Sequence, residues 1–141
     1  GLTVLVGAAF IDSTVDAVPT VFGTTVKAEF PLAPQSSFNA LGRYEWPAFS
    51  GNLAIQVDGR WNGKQFLEGT NSEVSSEPAY SVWNASLSWQ SSNEKTRVST
   101  WCRNITDEEY RLYDLDLGLL GFIEQAFGPP RQFGLTASYH W

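Results

Sequence analysis

Apolar side chains recur at every second position in six segments of about ten residues each. Successive side chains of an extended chain point to opposite faces, so this period puts the apolar residues of each segment on one face of a strand. The last segment alternates most clearly, with Phe133, Leu135, Ala137, Tyr139 and Trp141 on one face. The pattern predicts an all-β chain with strands at residues 2–11, 37–46, 51–66, 80–89, 96–105 and 132–141.

The connections between these segments alternate in length. Residues 47–50 and 90–95 form short turns, whereas residues 12–36, 67–79 and 106–131 form long connections. Short turns at one end and long loops at the other are typical of bacterial outer-membrane barrels. Strands of about ten residues also fit a tilted span of the hydrocarbon layer. We therefore expect an antiparallel up-and-down meander of about six strands, an incomplete segment of a large transmembrane β-barrel.

One dipeptide allows a different turn. Asn62-Gly63 is a favoured two-residue hairpin sequence. We place it in the outer part of the third strand, and a turn at this point is the alternative.

The charge distribution narrows the possible partners. The chain has 15 acidic and 9 basic residues, and its net charge of −6 argues against nucleic acid, which requires a basic patch. Only 17% of the residues are charged, against about a quarter in an ordinary soluble domain. Twelve of the 15 acidic residues fall in the three long connections. The strands are therefore poor in charge, as a lipid-facing wall requires.

Two short motifs near the C-terminus resemble TonB-dependent outer-membrane receptors. The segment from Trp101 to Tyr110 contains Asn104-Ile105-Thr106-Asp107 and is similar to that family's Asn-Leu-Thr-Asp-x-x-Tyr element, with Ile in place of Leu. The segment Gly128-Pro129-Pro130-Arg131 resembles the Pro-Arg start of the family's final strand. A weaker match is Pro34 followed by Ser37-Phe38-Asn39.

The final strand carries a third resemblance. Its alternating apolar residues, followed by an aromatic residue at the end, look like the signal that the outer-membrane insertion machinery reads. Phe is the usual last residue of that signal, and here it is Trp141. The residues that would form the signal are Phe133, Leu135, Tyr139 and Trp141.

The resemblance implies a fold larger than this chain. Residues 1–141 would be the C-terminal part of a receptor β-barrel of roughly 22 strands, with the plug domain and most of the barrel outside it. The parent protein would lie in the bacterial outer membrane, in contact with lipid and lipopolysaccharide. It would take up a scarce nutrient such as a ferric siderophore, with energy supplied by the TonB complex through an N-terminal region. Haem, cobalamin and oligosaccharides are the other substrates that the family implies.

Ligand contacts from this chain would come from its long connections, because loops carry binding more often than scaffold does. The candidates are Arg111, Tyr113 and Phe122 in one connection and Asn71 and Glu73 in another. Binding by the plug and by other strands is an equally good interpretation.

The remaining chemistry-bearing residues have structural explanations. His140 lies on the polar face of the last strand, and Cys102 has no catalytic partners around it. Asp114 and Asp116 lack the further ligands of a Ca²⁺ loop. The apolar run at residues 115–123 is expected to pack against a neighbouring loop, and the alternatives are that it covers the barrel mouth or forms part of a ligand contact. Nothing in the sequence indicates an enzyme, a cofactor or a metal site.

A soluble β-sandwich that binds carbohydrate through exposed Trp is the competing hypothesis, because a sandwich strand also has one apolar face. The placement of the aromatic residues separates the two. A sandwich would bury Trp83, Trp89 and Trp141 or align them on one face, whereas a barrel would place them at strand ends facing lipid.

Overall fold

The computed structural model describes residues 1–20 and 22–141 and consists almost entirely of strands. Six strands are long, six are short, and two single turns of 3₁₀-helix lie between short strands. In chain order the elements are β1 (Leu2–Phe10), β2 (Val15–Pro19), β3 (Thr25–Ala28), β4 (Ser36–Ala48), β5 (Gly51–Asn62), β6 (Gln65–Phe66), a 3₁₀ turn (Glu73–Ser75), β7 (Ser76–Glu77), β8 (Tyr80–Ser91), β9 (Thr96–Arg103), β10 (Arg111–Leu117), a 3₁₀ turn (Gly118–Leu120), β11 (Phe122–Phe127) and β12 (Gln132–Tyr139).

The six long strands form one sheet. Their order is β1-β4-β5-β8-β9-β12, and each strand is antiparallel to its neighbours. The predicted six-stranded antiparallel meander is therefore confirmed. The sheet is open, because β1 and β12 each pair on one side only within residues 1–20 and 22–141.

Each long connection contains a small hairpin, and all three hairpins lie at the same end of the sheet. The first hairpin is β2–β3, the second is β6–β7 and the third is β10–β11. We call this the loop end of the sheet and the opposite end the turn end. The sequence analysis predicted long connections here but not their strands, because each strand is too short to display an alternation of its own.

The two connections at the turn end are short, as predicted. Phe49 and Ser50 alone join β4 to β5, and both have positive φ, +52° and +54°. Two positive φ values are the pattern of a type I′ hairpin turn, whose twist matches that of the flanking strands. Glycine or asparagine usually fills these positions, so the turn was not recognisable from residue type.

One predicted strand was too long. The third strand was expected to reach Phe66, but β5 ends at Asn62 and Phe66 pairs with Ser76 in the second hairpin. Asn62-Gly63 is not the centre of a hairpin, since Asn62 still pairs with Ser37 and the Gly63 amide donates to the Ser36 carbonyl at 2.9 Å. The chain leaves the sheet only after this last hydrogen bond.

The described part of the chain buries few large apolar side chains. Tyr80, Val82 and Tyr110 form one small cluster, and Ala28, Ala54 and Leu67 are buried separately. The sheet therefore has no second layer packed across it. None of the helical segments among the described residues has the length and hydropathy needed to traverse a lipid bilayer.

Candidate functional site

The strand register places most apolar residues of the six long strands on one face of the sheet. Val57 lies between Gly42 and Ala85, and the same row continues through Cys102 to Phe133. No charged side chain lies on this apolar face. All six charged residues of the long strands lie on the opposite, polar face: Arg43, Glu45, Asp58, Arg60, Arg97 and Arg103.

Nothing else in the described residues covers the apolar face. Val6 is 76% exposed at one edge, and Phe133 is 81% exposed at the other. Ile55 and Leu87, in the middle of the sheet, are 45% and 41% exposed. Fully burying one such side chain is worth about 1.5–3 kcal/mol, so this face carries a large unrealised free energy of burial.

Aromatic residues of the apolar face concentrate towards the strand ends. At the loop end they are Phe10, Phe38, Trp61, Trp83 and Phe133, and at the turn end they are Trp46, Trp89 and Tyr139. Tyr44 extends the turn-end group by stacking on Trp46, with ring centroids 5.4 Å apart. Aliphatic and small residues fill the space between the two groups. Aromatic rings at two levels with an aliphatic band between them are typical of membrane-spanning strands.

The predicted insertion-signal residues lie at an exposed edge. Phe133, Leu135 and Tyr139 are on the apolar face of β12, 81%, 73% and 59% exposed. Trp141 follows the strand and is 99% exposed. His140 also follows it, and its amide donates to the Lys95 carbonyl at 2.8 Å.

Side chains on the polar face form hydrogen bonds within single strands and between neighbouring strands. Asp58 accepts hydrogen bonds from Gln56 at 3.1 Å and from Asn84 at 2.8 Å. Arg43 pairs with Glu45, Nε to Oε1 at 2.6 Å. Polar side chains of this face are therefore hydrogen-bonded to one another, as expected for a face that lines a water-filled space.

Asn104 closes the base of the longest connection. It is 2% exposed with φ +50°. Its side-chain amide donates to the carbonyls of Glu108 at 2.9 Å and Pro129 at 3.1 Å, and its oxygen accepts from the Glu108 amide at 2.9 Å. Asn tolerates this left-handed backbone better than most residues do, because its short polar side chain bonds locally. One buried side chain thus joins the two ends of the connection.

Asp107 adds a second contact between the same two segments. Its Oδ1 accepts from the Arg131 backbone amide at 2.8 Å, and its Oδ2 lies 3.6 Å from the Arg131 guanidinium. The two short motifs of the sequence analysis therefore touch each other. We call Asn104, Asp107, Pro129 and Arg131 the loop clamp.

Tyr110 folds back from the clamp onto the polar face. Its ring stacks on Tyr80 with centroids 4.7 Å apart, and the Arg60 guanidinium lies 5.7 Å from its centroid. The other side of the ring covers Gly128, where an added Cβ would overlap the ring. Tyr110 is therefore a packing residue, 5% exposed.

Arg111 joins the second and third hairpins. Its Nε donates to Glu77 at 2.7 Å, and one terminal nitrogen donates to the Val74 carbonyl at 3.0 Å and to Asp114 at 3.1 Å. The other terminal nitrogen donates to the Ser76 carbonyl. Its guanidinium is thus occupied by protein acceptors, an arrangement that the sequence analysis did not foresee when it named Arg111 as a ligand contact.

Asp114 is the buried centre of this contact. Its side chain is fully buried and accepts from Ser75 at 2.5 Å and from Gln125 at 2.7 Å. Burial opposes ionisation, but the hydrogen bonds from Ser75 and Gln125 and the charge of Arg111 outweigh it. Together they hold the pKa of Asp114 below its ordinary value. We call Arg111, Asp114, Glu77 and Ser75 the hairpin latch.

Asn71 joins the second hairpin to the first. Its side chain accepts from the Glu29 amide and donates to the Glu29 carbonyl at 3.1 Å. The Leu32 amide adds a bond to the Phe66 carbonyl at 2.8 Å. The second hairpin is thus bonded to both of its neighbours, and the three hairpins form one connected unit.

Glu73, the other candidate in this connection, lies on the surface. Its Oε2 is 2.9 Å from Lys64 Nζ. Hydrogen bonding and charge from Lys64 lower the pKa of Glu73. Of the five ligand candidates, Arg111, Asn71 and Glu73 therefore have protein partners.

The last two candidates lie on the third hairpin. Tyr113 and Phe122 are 42% and 52% exposed and are available to a ligand. The tip of this hairpin is exposed, and Leu119 and Leu120 there are 71% and 72% exposed. Residues 1–20 and 22–141 therefore leave this tip largely uncovered, and the packing of residues 115–123 against a neighbouring loop stays a prediction.

An open cavity of about 640 Å³ lies over the polar face, towards the loop end. Strand residues Asp58, Arg60, Asn84 and Arg103 line it, and Tyr110 and Pro129 of the longest connection close one side. Arg60 and Arg103 were not among the residues predicted from the sequence to contact a ligand. Their shared face was evident from the alternation, but their common cavity depends on how the connection folds back.

No protein-family model, curated protein or solved structure matches the chain. Within residues 1–20 and 22–141, no group of three or more His, Cys, Asp or Glu side chains is placed to hold a metal ion.

Proposed function

We propose that the chain is part of the wall of an outer-membrane β-barrel, the C-terminal part of a receptor of the TonB-dependent kind that takes up a scarce nutrient such as a ferric siderophore. One observation carries the membrane part of this proposal. Six strands present a continuous, exposed face without a single charge, and their six charges all lie on the other face. A charge near the bilayer centre costs about 2–4 kcal/mol on a lipid-facing strand, so this separation is what a lipid-facing wall requires.

Two further features support a barrel wall over a soluble sandwich. The fold has one sheet, whereas a sandwich needs a second sheet packed on the apolar face. Trp61, Trp83 and Trp89 lie near strand ends, at the two levels where rings meet lipid headgroups.

The receptor assignment rests on the sequence motifs. The contact between Asn104 and Pro129 gives the motifs a shared structural reason, since together they close the longest connection. A nutrient would meet this chain at the polar face or at the loop end. Contacts with the TonB complex and the insertion machinery would belong to the parent protein as a whole.

The membrane assignment can be tested with two neighbouring residues. Leu135 lies on the apolar face of β12 and Thr136 on its polar face. In the native protein that carries this chain, Leu135→Asp should abolish the heat-modifiable, protease-resistant form in outer-membrane fractions. Thr136→Asp, the matched control, should leave it at the unmodified level. Equal levels for the two variants would refute a lipid-facing apolar face.

The receptor assignment needs its own measurement. Exchanging residues 106–130 for the matching connection of a receptor with a different substrate, then measuring uptake of each nutrient, tests whether this connection contributes to specificity. If the barrel inserts correctly but takes up no nutrient in a TonB-dependent manner, the barrel-wall assignment is retained and the receptor assignment is refuted.

A further inference from the structure

The polar face holds two arginines without a carboxylate partner. Arg60 and Arg103 both line the 640 Å³ cavity, and neither forms an ion pair within residues 1–20 and 22–141. Arg43, on the same face, differs because Glu45 neutralises it. The cavity thus contains two arginines that form no ion pair among the described residues.

Aromatic rings position both guanidinium groups. Arg60 lies 5.7 Å from the centroid of Tyr110, and Arg103 lies 5.1 Å from the centroid of Trp101. A cation at this distance is attracted to the ring and keeps its N–H groups available to a ligand. Tyr110 is itself fixed between Tyr80 and Gly128, so the support for Arg60 is rigid.

Asp58 and Asn84, which also line the cavity, are already engaged in hydrogen bonds. Asp58 accepts hydrogen bonds from Gln56 and Asn84, and the Asn84 oxygen accepts from the Asn104 amide at 3.1 Å. Asp58 carries one negative charge and the two arginines carry two positive charges. The net side-chain charge of this part of the polar face is therefore positive. The acidic residues of the chain lie mainly in the hairpins instead.

We propose that this cavity is a binding site for a small organic or inorganic anion, in which Arg60 and Arg103 each donate to a carboxylate or phosphate group. Guanidinium edges match the paired oxygens of such groups. Pro129 and Tyr110 add apolar surface beside the arginines, which suits an anion with a short carbon backbone. This anion site is an additional function, separate from the proposed membrane wall. It depends on the polar face and not on the apolar face.

Calorimetric titration of the native protein in detergent with succinate and with inorganic phosphate tests the site. Binding of at least one probe is expected, weakening as sodium chloride is raised because salt screens the charges. Arg60→Gln and Arg103→Gln should each weaken it at least about tenfold, the loss expected for one charge-assisted hydrogen bond. Arg97→Gln is the matched control, since Arg97 lies on the polar face of β9 but does not line the cavity.

Several outcomes would overturn the site. They are no binding of either probe, equal losses in all three variants, and unchanged affinity in Arg60→Gln and Arg103→Gln. Retention of the heat-modifiable form in each variant verifies that the barrel is intact. If the proposed membrane wall is wrong, the heat-modifiable form is absent. If only the anion site is wrong, that form is retained and the titration shows no arginine-dependent binding.

Discussion

Arg111 and Glu77 form a 2.7 Å ion pair between two hairpins, although 34 residues separate them along the chain. The pair is shielded from water, with side-chain exposures of 16% and 7%. Removing one partner of a buried pair leaves the other charge unpaired and typically costs about 3–5 kcal/mol.

We therefore expect Arg111→Gln to loosen both hairpins together. Hydrogen exchange should accelerate at residues 74–77 and 111–117, reporting a local loss of about 3 kcal/mol, while β5 and β8 keep their protection. Lys64→Gln is the control, because the Lys64–Glu73 pair is exposed to water, which screens it, and such pairs contribute little to stability. Acceleration confined to residues 111–117 would show that the latch does not couple the hairpins.

Asp114 gives the latch a dependence on pH. Its folded pKa lies below the ordinary 3.8. Its contribution to stability is therefore fully present above that ordinary value and is lost as the pH falls through the lowered folded value. Exchange protection of the third hairpin should hold from neutral pH down to about 4 and decline below it. Asp114→Asn should remove most of this decline, and an unchanged profile in that variant would assign it to other carboxylates.

Three glycines lie under aromatic rings, and an added Cβ at the first of them, Gly59, would overlap Trp83. An added Cβ at Gly128 would overlap Tyr110, and one at Gly134 would overlap Trp101. Gly128→Ala should destabilise the folded protein by about 1–3 kcal/mol, since Tyr110 is held by Tyr80 and cannot move aside. The measurement is the denaturant midpoint in detergent. Gly42→Ala is the control, because no atom lies within 4 Å of the new Cβ, and a midpoint lowered equally there would disprove the role of the ring.

The apolar face makes an optical prediction. In lipid vesicles, Trp61 and Trp89 should be quenched by lipids brominated near the headgroup, because both lie near strand ends on the apolar face. Trp101 lies on the polar face and should be quenched least. Variants of the native protein that each lack one of these three residues assign the signal. Equal quenching contributions would contradict the separation of the two faces.

The strands were predictable because their signal is local. In segments such as residues 132–141 the alternation alone indicates strand, face and approximate ends. Phe66 was wrongly assigned to the third strand because the chain leaves the sheet at Gly63. The Gly63 amide bonds to the Ser36 carbonyl and Phe66 pairs with Ser76, and both partners are distant in sequence.

The site was less predictable because its contacts are distant in sequence. Arg111 has the residue type of a ligand contact, and only the position of Glu77 and Asp114 makes it a latch. Asn71 shows the same limit, because its partner Glu29 is 42 residues away. Tyr113 remains exposed, and its role as a ligand contact stays a prediction.

The loop clamp has a consequence for how such a protein can change. Asn104 holds the Pro129 carbonyl, so the chain between them starts and finishes at the same place whatever its length. Closing a longer flexible loop costs only about 0.6 kcal/mol for each doubling. Residues inserted near Leu119 would therefore leave the pairing of β9 with β12 undisturbed. The wall and the segment above it are free to diversify independently, with the clamp as the boundary between them.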